Sequence, residues 1–198
     1  NANIHLNNLT AHFQSSGTRM ESDRVDVELN QTLVSVRDAL YDTSTKEFAA
    51  TAQSDRVDPA DIALFTSRFA HLNKPFSFDL KAEGALPQAT LSRLNFRYGA
   101  DTRFDITGSI NDYSELTASD LNVNIRNLST SQEDLESLIQ IGAPAYNSPS
   151  QLVALGDLSL QLTASGKLPN FLYDIDVDTE QGELALNGTG RITDRFKF

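Results

Sequence analysis

Apolar residues recur at every second position through most of this chain, and that alternation is the strongest constraint on its fold. A period of two sends successive side chains to opposite faces of an extended strand, so one face is dry and the other wet. The pattern runs through Ile4/Leu6, Leu9/Ala11/Phe13, Val25/Val27/Leu29 and Phe48/Ala50/Ala52. It resumes at Phe76/Phe78/Leu80/Ala82, Leu94/Phe96/Tyr98, Phe104/Ile106 and Leu121/Val123/Ile125. A last group follows at Leu158/Leu160/Leu162/Ala164, Ile175/Val177 and Leu184/Leu186. The expectation is a mainly β protein, an elongated, twisted, groove-like antiparallel sheet with one solvated side. Near Leu33 to Val36 the apolar phase passes from odd to even positions, which a turn or bulge around Asn30-Gln31-Thr32 explains.

Two segments break the alternation. Ile62, Phe65, Phe69 and Leu72 stand at helical spacing behind Asp58-Pro59. Asp58 suits the cap, and Pro59 suits the first helical position, where its missing N–H costs nothing. Leu135, Leu138 and Ile139 follow Ser131-Gln-Glu-Asp134, a capping-box pattern, and Gly142 and Pro144 close the segment. Pro149 to Leu155 adds a short third helical stretch. Each clear helix has one apolar stripe, which places these two or three short helices on the apolar face of the sheet.

Parts of the chain repeat. Gly84 and Gly166, Pro87 and Pro169, Gly108 and Gly190, and Ile110 and Ile192 each lie 82 residues apart. The units expected are about 46–127 and 128–198, with strand blocks 76–110 and 158–192, each block preceded by a helix. Such repeats stack to share one continuous apolar face, so an open, extended sheet is favoured over duplication inside a closed sandwich.

Composition removes several function classes. The formal charge is −11, from 16 basic and 27 acidic residues, and the cations are scattered singly. That excludes nucleic acid as a partner and disfavours docking on an anionic membrane. With no cysteine there is no thiol chemistry and no disulfide. No apolar run approaches the roughly 20 residues of a membrane-spanning helix. The chain opens without a methionine or a signal sequence and closes at Arg195-Phe-Lys-Phe198 in strand-like pattern, as a piece of a longer protein would.

Candidate chemistry is sparse. Asp174, Asp176, Asp178 and Glu180 have the spacing of a calcium loop's first ligands, but Thr179 and Ala185 replace its obligatory Gly and Glu. Alternation with Ile175 and Val177 places these acids on the wet face of a strand. His5, His12 and His71 are isolated, without partners at metal-ligand or acid–base spacing. There is no nucleophile elbow, phosphate-cradling loop or His-Glu-x-x-His. The expectation is a protein with no catalytic residues, cofactor or metal.

What remains is the apolar face: Phe76, Phe78, Leu80, Phe96, Phe104 and Ile106, with Leu158, Leu160, Leu162, Ile175, Val177, Leu184 and Leu186 as counterparts. Covered by helices or by a second sheet, these residues are a plain core. Left open, they line a groove for phospholipid or other acyl chains, each methylene gaining about 0.8 kcal/mol on burial.

The repeated unit resembles the TamB/AsmA-like family, in its Bacteroidota form. The resemblance rests on Gly84-Ala-Leu-Pro87, Gly166-Lys-Leu-Pro169, Gly108-Ser-Ile110 and Gly190-Arg-Ile192. Leu128-Ser-Thr-Ser-Gln-Glu-Asp-Leu135 and Leu152-Val-Ala-Leu-Gly156 add to it, and it covers about residues 46–198. It implies a periplasmic protein anchored in the inner membrane. It further implies a long hydrophobic groove that moves phospholipid towards the outer membrane and an Omp85-type assembly partner. The helices depart from a plain groove and are placed to plug it. The alternative is a scaffold that pairs with partners through its sheet edges. A carbohydrate-binding β-module ranks last, because the aromatics share the apolar phase.

Overall fold

The computed structural model describes residues 6–115 and 119–191. His5, Ile192 and the segment from Arg195 to Phe198 lie outside them. Eleven strands form one antiparallel sheet in which spatial order equals chain order. They are β1 (Leu6–Ser16), β2 (Arg19–Leu29), β3 (Thr32–Asp42), β4 (Glu47–Val57), β5 (Phe76–Ala85) and β6 (Ala89–Tyr98). Then follow β7 (Thr102–Ile110), β8 (Asp120–Thr130), β9 (Leu158–Lys167), β10 (Asn170–Thr179) and β11 (Gly182–Arg191). The sheet is an open meander, because β1 pairs with β2 and β11 with β10 and the two ends do not meet.

Local chemistry accounts for the order. Most neighbouring strands are joined by short turns, which pair them in chain order, and alternation then aligns their dry faces. The phase change after Leu29 is a turn: Leu29 pairs with Thr32 across Asn30-Gln31, and Asn30 takes a positive φ of 48°. The odd apolar positions of β2 thereby meet the even ones of β3, Val25 with Val36 and Val27 with Val34. Register shifts interrupt every pairing from β1 to β9 except that of β2 with β3, whereas β9, β10 and β11 pair without a shift. Bulged strands bend and twist more, which curls the sheet into a groove.

Helices interrupt the meander after β4 and after β8. The first is shorter than its apolar spacing predicts: α1 (Pro59–Ala63) gives way to a 3-10 turn, Ser67–Phe69. Asp58 caps it, accepting from Ala60 N at 3.0 Å, and Pro59 stands at the first position as expected. The second, α2 (Gln132–Gly142), is followed by the short α3 (Ser150–Val153). Ser131 Oγ accepts from Asp134 N at 3.3 Å, which is half of a capping box. The reciprocal half is not made, because the Asp134 carboxylate turns inward to Lys74 and Thr102.

These helical segments meet the apolar face at one end of the strands. There Val57, Tyr98, Thr102 and Thr130 are almost completely buried, and Leu29 and Leu72 nearly so. Away from that end most apolar-face residues are only half-buried.

The repeat extends further back than its sequence signature. Thr32 begins β3 and donates to Asp61 Oδ2 at 2.8 Å; Thr102 begins β7 and donates to Asp134 Oδ2 at 2.8 Å. Both aspartates are the third residue after their helix cap. Asp42 and Asp112 each accept from the backbone N–H and hydroxyl two residues on, at Ser44 and Ser114. Four strands followed by a helix therefore occur twice, in β1–β4 with α1 and in β5–β8 with α2.

One repeat landmark shifts. Pairing runs Ala82–Leu91–Gly108 in one block and Ala164–Tyr173–Gly188 in the other, so Gly108 corresponds to Gly188, not to Gly190. Ser92 is skipped in the β5–β6 register, and the β6–β7 turn is one residue longer than the β10–β11 turn. Those two residues carry the constant offset past the true equivalence.

Candidate functional site

The dry face is built from cross-strand rows. One row crosses the whole sheet, from Ala11 through Val25, Val36, Ala52, Leu80 and Leu94. It continues through Ile106, Ile125, Leu162 and Ile175 to Leu186. Every one of the eleven strands contributes an apolar residue. At about 4.8 Å between strands, the row is about 48 Å long.

A parallel row joins Phe78, Phe96, Phe104, Leu128, Leu160, Val177 and Leu184. On β4 it begins at Ser54, a buried serine whose Oγ donates to Leu33 O at 2.6 Å. A third row, beside the helices, holds Phe76 and Leu158. Aromatic rings knit the rows, with Phe76 5.6 Å from Phe96 and Phe96 4.8 Å from Phe104. Phe69 of the 3-10 turn reaches Phe76 at 6.3 Å.

The structure thus gathers the apolar residues named for the groove, from Phe76 to Leu186, onto one face. Those from Phe76 to Val177 are half-buried, while Leu184 and Leu186 on β11 are 53% and 44% exposed. At the opposite edge Leu9 and Phe13 are also exposed. Sequence reasoning left Ala11, Val25, Val36, Leu94, Ile125 and Leu128 out of this set. Alternation marked most of them, but the bulges change the phase from strand to strand, so only the register shows that they share a row. Phe171 and Tyr173 were missed as well. Their rings lie over Gly190 and Gly188, where a Cβ would come within 2.4 Å of Phe171 Cζ and 3.2 Å of Tyr173 Oη. These glycines are there for room, not for positive φ.

Small polar and charged side chains carry the other face. Asp174, Asp176 and Asp178 are exposed on β10, on the wet side opposite Ile175 and Val177. His12 is exposed on β1, and His71 Nε2 bonds Ser137 O at 2.7 Å. Among the described residues no group of three His, Asp or Glu side chains is placed to hold a metal ion. Displaced titrations follow local hydrogen bonding: Ser35 holds Asp26 below the usual carboxylate range, and the Ser44 hydroxyl holds Asp42 down at about 2. Asp134 raises Lys74, chiefly through their 2.6 Å hydrogen bond. Asp42 sits in a turn and Lys74 and Asp134 at the helix-covered end, while Asp26 alternates with Val25 and Val27 on β2, on the face away from the dry rows.

An open, single-layer antiparallel groove with a dry interior and a wet exterior is the class that fold and face define. Within the described residues no helix is long and apolar enough to cross a membrane. No protein-family model, curated protein or solved structure matches the chain.

Proposed function

We propose that the dry face is a groove that carries acyl chains, in a periplasmic segment of a TamB/AsmA-like protein that moves phospholipid between the two membranes. The apolar row running unbroken from Ala11 to Leu186 carries this reading. A core that only stabilises a fold is covered along its length, whereas among the described residues this row is exposed at both edges, Ala11 and Leu186. Half a bilayer's hydrocarbon thickness is about 15 Å, so a row of about 48 Å accommodates several acyl chains end to end. Chains of some ten methylenes gain several kcal/mol at about 0.8 kcal/mol each, with no polar group required. Such a groove performs no bond chemistry, so the proposed protein is not an enzyme.

Organic extraction of the purified protein with mass spectrometry, and titration of stripped protein with a fluorescent fatty acid, test the reading. Bound lipid and saturable binding are expected, with Leu160→Asp reducing binding while circular dichroism stays unchanged. A protein that carries no lipid and binds no fatty acid sinks the proposal.

A second reading is a scaffold that adds a partner's strand at its edges, as an Omp85-type assembly protein would offer. It draws on β1 and β11, each with one neighbour among the described residues. Under this reading, proline substitutions along β11 abolish partner capture and leave fatty-acid binding intact.

A further inference from the structure

We infer that α1, the 3-10 turn and α2 form one latched lid, closed over an additional row of the groove. The covered row runs Leu29–Thr32 on β2–β3, Val57–Phe76 on β4–β5 and then Tyr98–Thr102 on β6–β7. It lies beside the open Phe78–Phe96–Phe104 row and sets the apolar Leu29, Val57, Phe76 and Tyr98 beside the polar Thr32 and Thr102. Lifting the helices would widen the groove by that row.

The latches are polar. Asp61 accepts from Asn30 Nδ2 at 2.6 Å, Thr32 Oγ1 at 2.8 Å and Gln31 N at 3.3 Å. Asp134 accepts from Lys74 Nζ at 2.6 Å and Thr102 Oγ1 at 2.8 Å, with Thr130 Oγ1 2.9 Å from Thr102 Oγ1. Hydrogen bonds to buried carboxylates are strong while formed and, unlike a continuous apolar seam, are lost together once water enters. α2 is also tied to the segment that follows α1 and the 3-10 turn. His71 joins Ser137 of α2, and Lys74, on the segment leading from the 3-10 turn to β5, joins Asp134 of α2. Releasing either latch therefore loosens both helices.

The purpose assigned to the lid rests on the acyl-carrying reading; its mechanics do not. Native-state hydrogen exchange on the full chain tests the mechanics. The amides of α1 and α2 are expected to exchange at a shared rate, at least tenfold faster than those of Leu94 and Phe96 in β6. Asp134→Asn is expected to speed exchange in α1 as well as in α2, leaving β6 unchanged. Thr102→Val removes the same latch at similar shape, should the Asn variant fail to fold. Helical amides exchanging no faster than β6, or a response confined to α2, would overturn the lid. Fluorescent fatty-acid titration provides the separate arm. More chains bound per protein in Asp134→Asn than in the parent support the widened groove, and an unchanged number overturns it. A parent that binds none sinks the acyl-carrying reading while the exchange result still decides the latch.

Discussion

Asp134 closes over Thr102, its Oδ2 accepting from Thr102 Oγ1 at 2.8 Å with both residues almost wholly buried. A carboxylate out of water is tolerated only when its lone pairs are filled, and Lys74 supplies the opposite charge at 2.6 Å. Asp134→Ala leaves Lys74 and Thr102 without their acceptor. Because the Lys74 side chain is 33% exposed, the expected loss is at the lower end, about 2 kcal/mol, read as a lower urea midpoint. Lys74 is raised in the folded state, so the stabilisation is complete below the ordinary lysine range and is lost as pH climbs through the raised value. Parent stability should therefore fall at strongly alkaline pH. A variant with Asp134→Asn should lose that dependence.

Asp42 offers a test at the acid end. Its carboxylate accepts from Ser44 N at 2.8 Å, Ser44 Oγ at 2.6 Å and Thr45 N at 3.2 Å, which lowers its pKa from 3.8 to about 2. A depressed carboxylate contributes its stabilisation above the ordinary value and loses it as pH falls from there through about 2. Carbon-detected NMR titration should find the Asp42 midpoint near 2, and Ser44→Ala should move it towards 3.8. A midpoint indifferent to Ser44 would disprove this account of the turn.

Two glycines should respond in opposite directions. A Cβ on Gly84 would stand 2.4 Å from Gln88 O, a backbone atom that cannot swing away, so Gly84→Ala should destabilise by about 1–3 kcal/mol. A Cβ on Gly142 meets nothing within 4 Å, and Gly142 is the last residue of α2. Gly142→Ala should therefore stabilise by a few tenths to about 1 kcal/mol. Thermal midpoints compare the pair directly.

The long apolar row makes a position-dependent prediction. Ile106 is half-buried near the middle of the row and Leu186 is its exposed end. Ile106→Asn should weaken fatty-acid binding about tenfold or more, whereas Leu186→Asn should change it less than threefold, since a polar group interrupts a bound chain only mid-row. Equal effects at both positions, with folding intact, would argue against a continuous track.

Much of the architecture was legible because it is local. Alternation at Phe76/Phe78/Leu80 or Ile175/Val177 specifies a half-dry strand whatever lies beside it, and Asp58-Pro59 and Ser131 mark helix starts by satisfying backbone groups within three residues. The wet position of Asp174, Asp176 and Asp178 followed from the same alternation. The apolar spacing from Ile62 to Leu72 misled in length: the chain leaves α1 at Ala63, and Phe69 turns to stack on Phe76 instead of continuing a helical stripe.

By itself, then, the sequence determined the strands, their dry and wet faces, the turns between them and the places where helices begin. Those depend on neighbours a few residues away. Only the tertiary structure decided that Ala11 and Leu186 end one row, that Gly108 answers to Gly188, and that Asp61 and Asp134 turn inward onto Thr32 and Thr102. Each of these depends on cross-strand register, where one bulged residue moves every later pairing. The alternating pattern alone does not say where such a residue falls.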